Sequence, residues 1–122
     1  MQLQESGEMY LETILLLSFS KSAVRAVDIG EHMGYSKPSV SRALSNLRAG
    51  GYAETDEKGN ITLTDAGREV AEKIYERHTV ISGFLMTLGV GEEIAVKDAC
   101  KIEHHISDES FDAIKKYMKN VK

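Results

Sequence analysis

Five residues between positions 34 and 51 leave the chain little choice of local structure: Gly34, Ser36, Pro38, Gly50 and Gly51. Gly34 follows a short segment, Val27 to Met33, whose Ile29 and Met33 stand one helical turn apart, and glycine closes a helix in the left-handed C′ position. Two residues later Ser36 is placed to cap a new helix, because its hydroxyl accepts from the first unpaired N–H groups. Pro38 then falls in the first turn, where it removes no intrahelical hydrogen bond. Val40, Leu44 and Leu47 supply a buried stripe, and Gly50 with Gly51 ends it. A short helix, a glycine turn and a capped helix are therefore expected in a fixed order.

An amphipathic helix is expected upstream over Glu8 to Ser18, with Tyr10, Ile14 and Leu17 on one face and Leu11 and Leu15 widening the stripe. Downstream, Tyr52 to Thr55 and Ile61 to Leu63 have extended character and are joined by Asp56, Glu57, Lys58, Gly59 and Asn60, which predicts a β-hairpin. Thr64 then caps a long segment from Asp65 to Leu88 with Val70, Ile74, Ile81 and Leu85 among its apolar positions, interrupted at Gly83. Two more helices are expected at Glu92 to His105 and Ser107 to Asn120, the latter capped by Ser107 or Asp108. The chain is 122 residues, 42% apolar, with one proline, which fits one small domain or two fused subdomains. The reading is mainly α: an N-terminal winged helix-turn-helix with a small β-hairpin wing over residues 1–64, then an α-helical dimerisation domain over residues 65–122. A homodimer would add buried area to a chain this short.

Charge is unevenly distributed. The formal net charge is -4, yet residues 20–52 carry Lys21, Arg25, Lys37, Arg42 and Arg48 against Asp28 and Glu31, so a basic block sits between acidic flanks. That pattern fits one DNA-contacting face. The expected outward positions of the capped helix are Lys37, Ser39, Ser41, Arg42, Ser45, Asn46 and Arg48. Small hydroxylated residues allow close approach to the duplex, and Arg42 or Asn46 can read base edges. Lys58 at the wing tip, and Arg25 and Lys21 before the second helix, are candidates for phosphate contacts, with an ordinary solvated role as the alternative for each. The longest aliphatic run, Ile14 to Leu17, is far too short to span a bilayer, and Glu5, Glu8 and Glu12 stand where a signal peptide would be basic, so no membrane partner is expected and the cytoplasm is the expected compartment. The one cysteine, Cys100, cannot form an internal disulfide.

A second constellation carries different chemistry. Cys100, Glu103 and His104 are spaced i, i+3 and i+4, which brings thiolate, carboxylate and imidazole to one face if the helix runs through them. Met9 and Glu12 share a face of the first helix, and His78 lies on the long helix. Sulfur with imidazole and carboxylate suits Fe(II), Co(II), Ni(II) or Zn(II) better than Mg(II) or Ca(II). Taken singly, Cys100 and Met9 are more often packing residues than ligands, and His32 and His105 read as surface residues. No Ser-His-Asp pattern, His-Glu-x-x-His motif or phosphate loop is present, so neither an enzyme nor a small-molecule substrate is expected.

Taken together, Glu8-Met9-Tyr10-Leu11-Glu12-Thr13-Ile14, the Ser36 to Ser41 helix start, the Thr64 to Gly67 corner and Cys100-Lys101-Ile102-Glu103-His104-His105 resemble the diphtheria-toxin-repressor family of metal-dependent transcriptional repressors. The resemblance implies a homodimer that binds a palindromic double-stranded operator when a divalent metal acts as corepressor, with metal-uptake genes as its targets. It also implies a short form without the SH3-like third domain of the iron-responsive members. Met9, Cys100, Glu103 and His104 match that branch's primary metal site, where the manganese branch would have aspartate at 9 and glutamate at 100. Glu12 and His78 match the second ligand pair of the manganese branch. Ser82 and Val96 replace a carboxylate and a histidine of the iron-type ancillary site. Thioether and thiolate donors favour Fe(II) as effector, with Mn(II), Co(II), Ni(II), Zn(II) and Cd(II) able to bind the same set. The alternatives are a metal-independent winged-helix regulator and a Mn(II)- or Zn(II)-responsive repressor.

Overall fold

A computed structural model describes residues 4–120. The chain divides into two compact units, Met1–Glu72 and Lys73–Lys122. The first contains α1 (Glu5–Ser20), α2 (Ala26–Met33), α3 (Lys37–Ala49), β1 (Ala53–Thr55), β2 (Ile61–Leu63) and the first two turns of α4 (Asp65–Thr87). The second contains the rest of α4 with α5 (Glu92–Ile102) and α6 (Asp108–Lys119).

In the first unit α1 is longer than its apolar stripe. It starts at Glu5 rather than Glu8, because Glu5 and Glu8 in the first turn complement the positive end of the helix dipole, and it runs on to Ser20. Gly34 ends α2 at φ 72°, in the left-handed region. Ser36 caps α3, its hydroxyl accepting from the Ser39 amide, with Pro38 in the first turn. The core gathers Leu11, Ile14 and Leu15 of α1, Ile29 of α2, and Val40, Leu44 and Leu47 of α3, joined by Val24, Ala53, Ile61 and Ala71. Each fully buried aliphatic side chain contributes about 1.5–3 kcal/mol relative to exposure. Ala71 and the partly buried Val70 explain why the start of α4 belongs to this unit.

The hairpin pairs antiparallel, with Ala53 opposite Leu63 and Thr55 opposite Ile61, and Val24 adds a single bridge to Ile61. One corner locks it to α4. The Thr64 amide donates to the Tyr52 carbonyl at 3.1 Å, the Thr64 hydroxyl donates to the Gly51 carbonyl at 2.6 Å, and that hydroxyl accepts from the Gly67 amide at 3.1 Å. The chain passes so close that a Cβ on Gly67 would lie 1.9 Å from the Tyr52 carbonyl oxygen. Only glycine fits there.

The second unit is a small three-helix assembly around Ile81, Ala99 and Phe111, with Val80, Leu85 and Ile106 against them. Buried Ala95 and Ala99 let α5 pack closely. The long helix is not interrupted at Gly83: a Cβ there would sit 3.7 Å from the end of Met118, so the glycine is a packing position within an unbroken α4. The expected span of α5 is also corrected. The helix stops at Ile102, and residues 103–105 form a turn, so Cys100, Glu103 and His104 do not share one continuous helix face. Ser107 rather than Asp108 caps α6, accepting from the Ser110 amide at 3.1 Å. Among the described residues, no helix is long and apolar enough to cross a membrane.

Candidate metal centre and nucleic-acid interface

The exposed side of α3 carries Lys37, Ser41, Arg42, Ser45, Asn46 and Arg48. Ser39, expected to face outward, is half-buried instead, and its hydroxyl accepts from Ser36 Oγ at 2.9 Å as part of the cap. The face is tied to the wing. Arg48 donates to Thr55 Oγ1 at 3.0 Å, joining α3 to β1. Arg25 donates through its guanidinium to the Lys58 carbonyl, joining the start of α2 to the hairpin tip, and its own amide is received by Asp28. Lys21 pairs with Asp28 at 3.5 Å. Asp56 organises the tip: its carboxylate accepts from the amides of Lys58 and Asn60 and from the Asn60 side chain, and these bonds, Asn60's backbone N–H foremost, hold its pKa below the ordinary 3.8. The wing presents Lys58 on a loop held from both ends.

The second unit brings three of the expected ligands together. Glu103 is fully buried at the C-terminal cap of α5. His78 Nδ1, from α4, lies 2.9 Å from Glu103 Oε2, and His104 Nε2 lies 3.4 Å from Glu103 Oε1. The His104 ring is itself almost wholly buried. Glu103 Oε1 has no hydrogen-bond partner among the described residues. A buried carboxylate is costly unless paired, and native proteins rarely leave such an oxygen unsatisfied. One oxygen donor between two imidazole nitrogens fits a divalent transition-metal ion. Cys100 is half-buried one turn before Glu103. In the first unit, Met9 is half-buried and Glu12 buried, one turn apart on α1. His32 and His105 are exposed. Ser82 donates to the Thr79 carbonyl at 3.2 Å and Val96 is exposed, so neither adds a donor of the ancillary type.

Residue-by-residue reading missed Arg77. Its side chain is buried, and it donates to the carbonyls of Glu103 at 3.0 Å and Ile106 at 2.9 Å and to Asp108 Oδ1, with the guanidinium 5.6 Å from the centre of the Phe111 ring. Lys73 first, then Arg77, hold the Asp108 carboxyl below its ordinary 3.8. The signal was present in the sequence: Ile74, Arg77 and Ile81 share one stripe of α4, so a charge interrupts an apolar row.

A winged helix-turn-helix with an exposed polar recognition helix, followed by a helical unit holding a buried carboxylate between two imidazoles, defines the class of DNA-binding transcriptional regulators. Residues 2–61 match the N-terminal DNA binding domain of the iron dependent repressors, and residues 64–122 match their metal binding and dimerisation domain. An uncharacterized HTH-type transcriptional regulator of Methanocaldococcus jannaschii is 32% identical over 122 residues, 98% of each chain. The transcriptional regulator MntR of Salmonella typhimurium is 36% identical over 104 residues, 85% of this chain and 66% of that one. A solved manganese-dependent transcriptional repressor in complex with manganese superposes with a TM-score of 0.85 at 27% identity, over 93% of this chain and 52% of that one. The chain thus spans about two thirds of the length of the Salmonella regulator and about half of that solved relative. It belongs to the iron dependent repressor family, the diphtheria-toxin-repressor family of the motif resemblance.

Proposed function

We propose that this protein is a divalent-cation-dependent transcriptional repressor that binds a palindromic operator as a homodimer. The observation that carries the reading is Glu103, a fully buried carboxylate with one oxygen lacking a hydrogen-bond partner among the described residues and an imidazole on either side. Glu103, His78 and His104 would hold the cation, with Cys100, Met9 and Glu12 completing the donor set. When bound, the ion neutralises clustered carboxylate charge and gives soft and hard donors a common centre. The chain's own residues do the rest. Lys37 and Lys58 meet phosphates, Arg42 and Asn46 read base edges, Ser41 allows close approach, and Ser39 holds the helix start. Arg48 and Arg25 set the wing relative to α3 and α2 through Thr55 and the Lys58 carbonyl. In a dimer, two such helices roughly 34 Å apart meet successive major grooves of a palindrome.

Exposed Leu88, Ile94, Val96 and Tyr117 in the second unit support its use for dimerisation, with residues 1–64 as the DNA-binding domain and 65–122 as the metal-binding and dimerisation domain. Sulfur donors at Cys100 and Met9 favour Fe(II) as effector. The manganese in the names of the relatives supports Mn(II) as the runner-up, and Co(II), Ni(II), Zn(II) and Cd(II) fit the same donors. The setting is the cytoplasm, with genes of metal homeostasis as targets and no small-molecule substrate.

The test is selection from a pool of random duplexes under anaerobic conditions at buffered free Fe(II) or Mn(II), followed by measurement of the enriched duplex with chelator. Enrichment of a palindrome whose binding is lost on chelation is expected. The same palindrome bound equally well with chelator makes the protein a metal-independent regulator, and no enrichment overturns the DNA reading.

A further inference from the structure

Arg77 presents a puzzle of cost. A guanidinium placed on the apolar stripe between Ile74 and Ile81 must be desolvated, and replacing a buried ionic group by a well-packed apolar one is often neutral or stabilising. Its Nε has no hydrogen-bond partner among the described residues, so the two terminal nitrogens make all the bonds. Those bonds are not spread over the surface. Two of the three end on the carbonyls of Glu103 and Ile106, which bracket His104 and His105, and the third ends on Asp108, the first residue of α6. The turn is therefore pinned at both ends by one planar group, and Phe111 fixes the plane of that group from the side.

The neighbouring residue, His78, reaches the Glu103 carboxylate. One turn of α4 thus grips Glu103 twice, by its backbone through Arg77 and by its side chain through His78. This grip also accounts for where α5 ends: the Glu103 carbonyl is drawn to Arg77, and the chain leaves the helix there to present His104. We infer that Arg77 is a positioning residue that holds the 103–106 turn in its metal-ready conformation before any cation arrives, without itself donating to the ion. The inference rests on the proposed metal site.

The sign of the effect separates this role from electrostatics. Arg77 is a cation beside a proposed cation site, so deleting its charge should by Coulomb's law alone tighten metal binding. Loss of positioning instead weakens it, by about 10–100-fold for supporting residues of this kind. The experiment compares wild type, Arg77→Met and Arg77→Lys in the full chain, at a temperature where circular dichroism shows all three folded. Co(II) is titrated anaerobically and followed by its visible ligand-field bands, and backbone hydrogen exchange is measured over residues 99–107 in the metal-free proteins. Both variants are expected to bind Co(II) at least tenfold more weakly and to exchange faster in that segment, because lysine keeps the charge but cannot serve both carbonyls and Asp108 together. Should Arg77→Met fail to fold, Arg77→Lys carries the test alone. Co(II) affinity equal to or tighter than wild type in a folded variant overturns the inference. A wild type that takes up no Co(II), or a Glu103→Gln variant that binds it as well as wild type, overturns the metal site itself, and the positioning role with it.

Discussion

Replacing Glu103 by glutamine distinguishes a carboxylate kept for a cation from one kept for the fold. Glutamine has the same shape, and its amide can still meet His78 Nδ1, now 2.9 Å from Glu103 Oε2, so the change removes charge with little change in packing. If the carboxylate were one half of a structural ion pair with its imidazole neighbours, breaking that pair in a fully buried site would cost about 3–5 kcal/mol. The structure argues for less, because Glu103 Oε1 makes no hydrogen bond among the described residues and relief of its desolvation offsets what the His78 contact loses. The metal-free variant is therefore expected within about 1 kcal/mol of wild type. The large effect should appear with metal. A cation at a hundred times its dissociation constant stabilises the native state by about 2.7 kcal/mol, which raises Tm by roughly 10–20 °C in a domain of this size. Thermal unfolding of wild type and Glu103→Gln, each with chelator and with saturating Co(II) or Mn(II), reads both quantities. A loss of several kcal/mol in the metal-free variant, or a metal-induced rise in Tm equal to that of wild type, would refute the reasoning.

Gly67→Ala should destabilise the protein by at least about 2 kcal/mol, since the new Cβ meets the Tyr52 carbonyl oxygen at 1.9 Å and overpacking outweighs the roughly 1 kcal/mol that alanine gains in a helix. Urea unfolding checks this, and an unchanged or raised midpoint would contradict the corner described for Thr64 and Gly67. Asp56→Ala should loosen the wing in a pH-dependent way. The folded-state pKa of Asp56 is depressed, so its contribution is present above the ordinary 3.8 and disappears as pH falls through the lower folded value. Hydrogen exchange of residues 57–61 should separate variant and wild type at pH 6 and converge below about pH 3.8, whereas a difference that persists in acid would contradict the assignment. On a selected operator, Lys37→Ala should weaken binding evenly across sequences and reduce the salt slope by about 1, while Arg42→Ala should cost about 1–3 kcal/mol and relax preference at one base pair. Interchanged behaviour would reverse their roles.

The N-terminal architecture was legible because its boundaries are written in residues with few alternatives. Gly34 takes φ 72°, Ser36 and Thr64 cap the helices that follow them, and the hairpin strands end within one residue of the sequence reading. The errors arose where tertiary contacts override local pattern. The apolar and ligand spacing of residues 92–105 reads as one helix, yet Arg77, distant in sequence, takes the Glu103 carbonyl and the helix stops at Ile102. Gly83 looked like a break because periodicity says nothing of Met118 packed beside it. Ser39 looked outward because helical spacing alone does not reveal that its hydroxyl is engaged by Ser36. The site was legible in its ligand types, since Glu103, His78 and His104 do converge, but not in its support, because a lone arginine on an apolar stripe has no local signature of what it holds.

The central claim is that the Glu103 carboxylate and its two imidazoles form a cation site. Anomalous diffraction from crystals grown anaerobically with Mn(II) or Co(II) and collected at the metal edge tests it directly. The claim predicts a strong peak about 2.0–2.3 Å from a Glu103 carboxylate oxygen, with His104 or His78 in the same coordination shell. Peaks confined to exposed acidic groups, with none at Glu103, would contradict it.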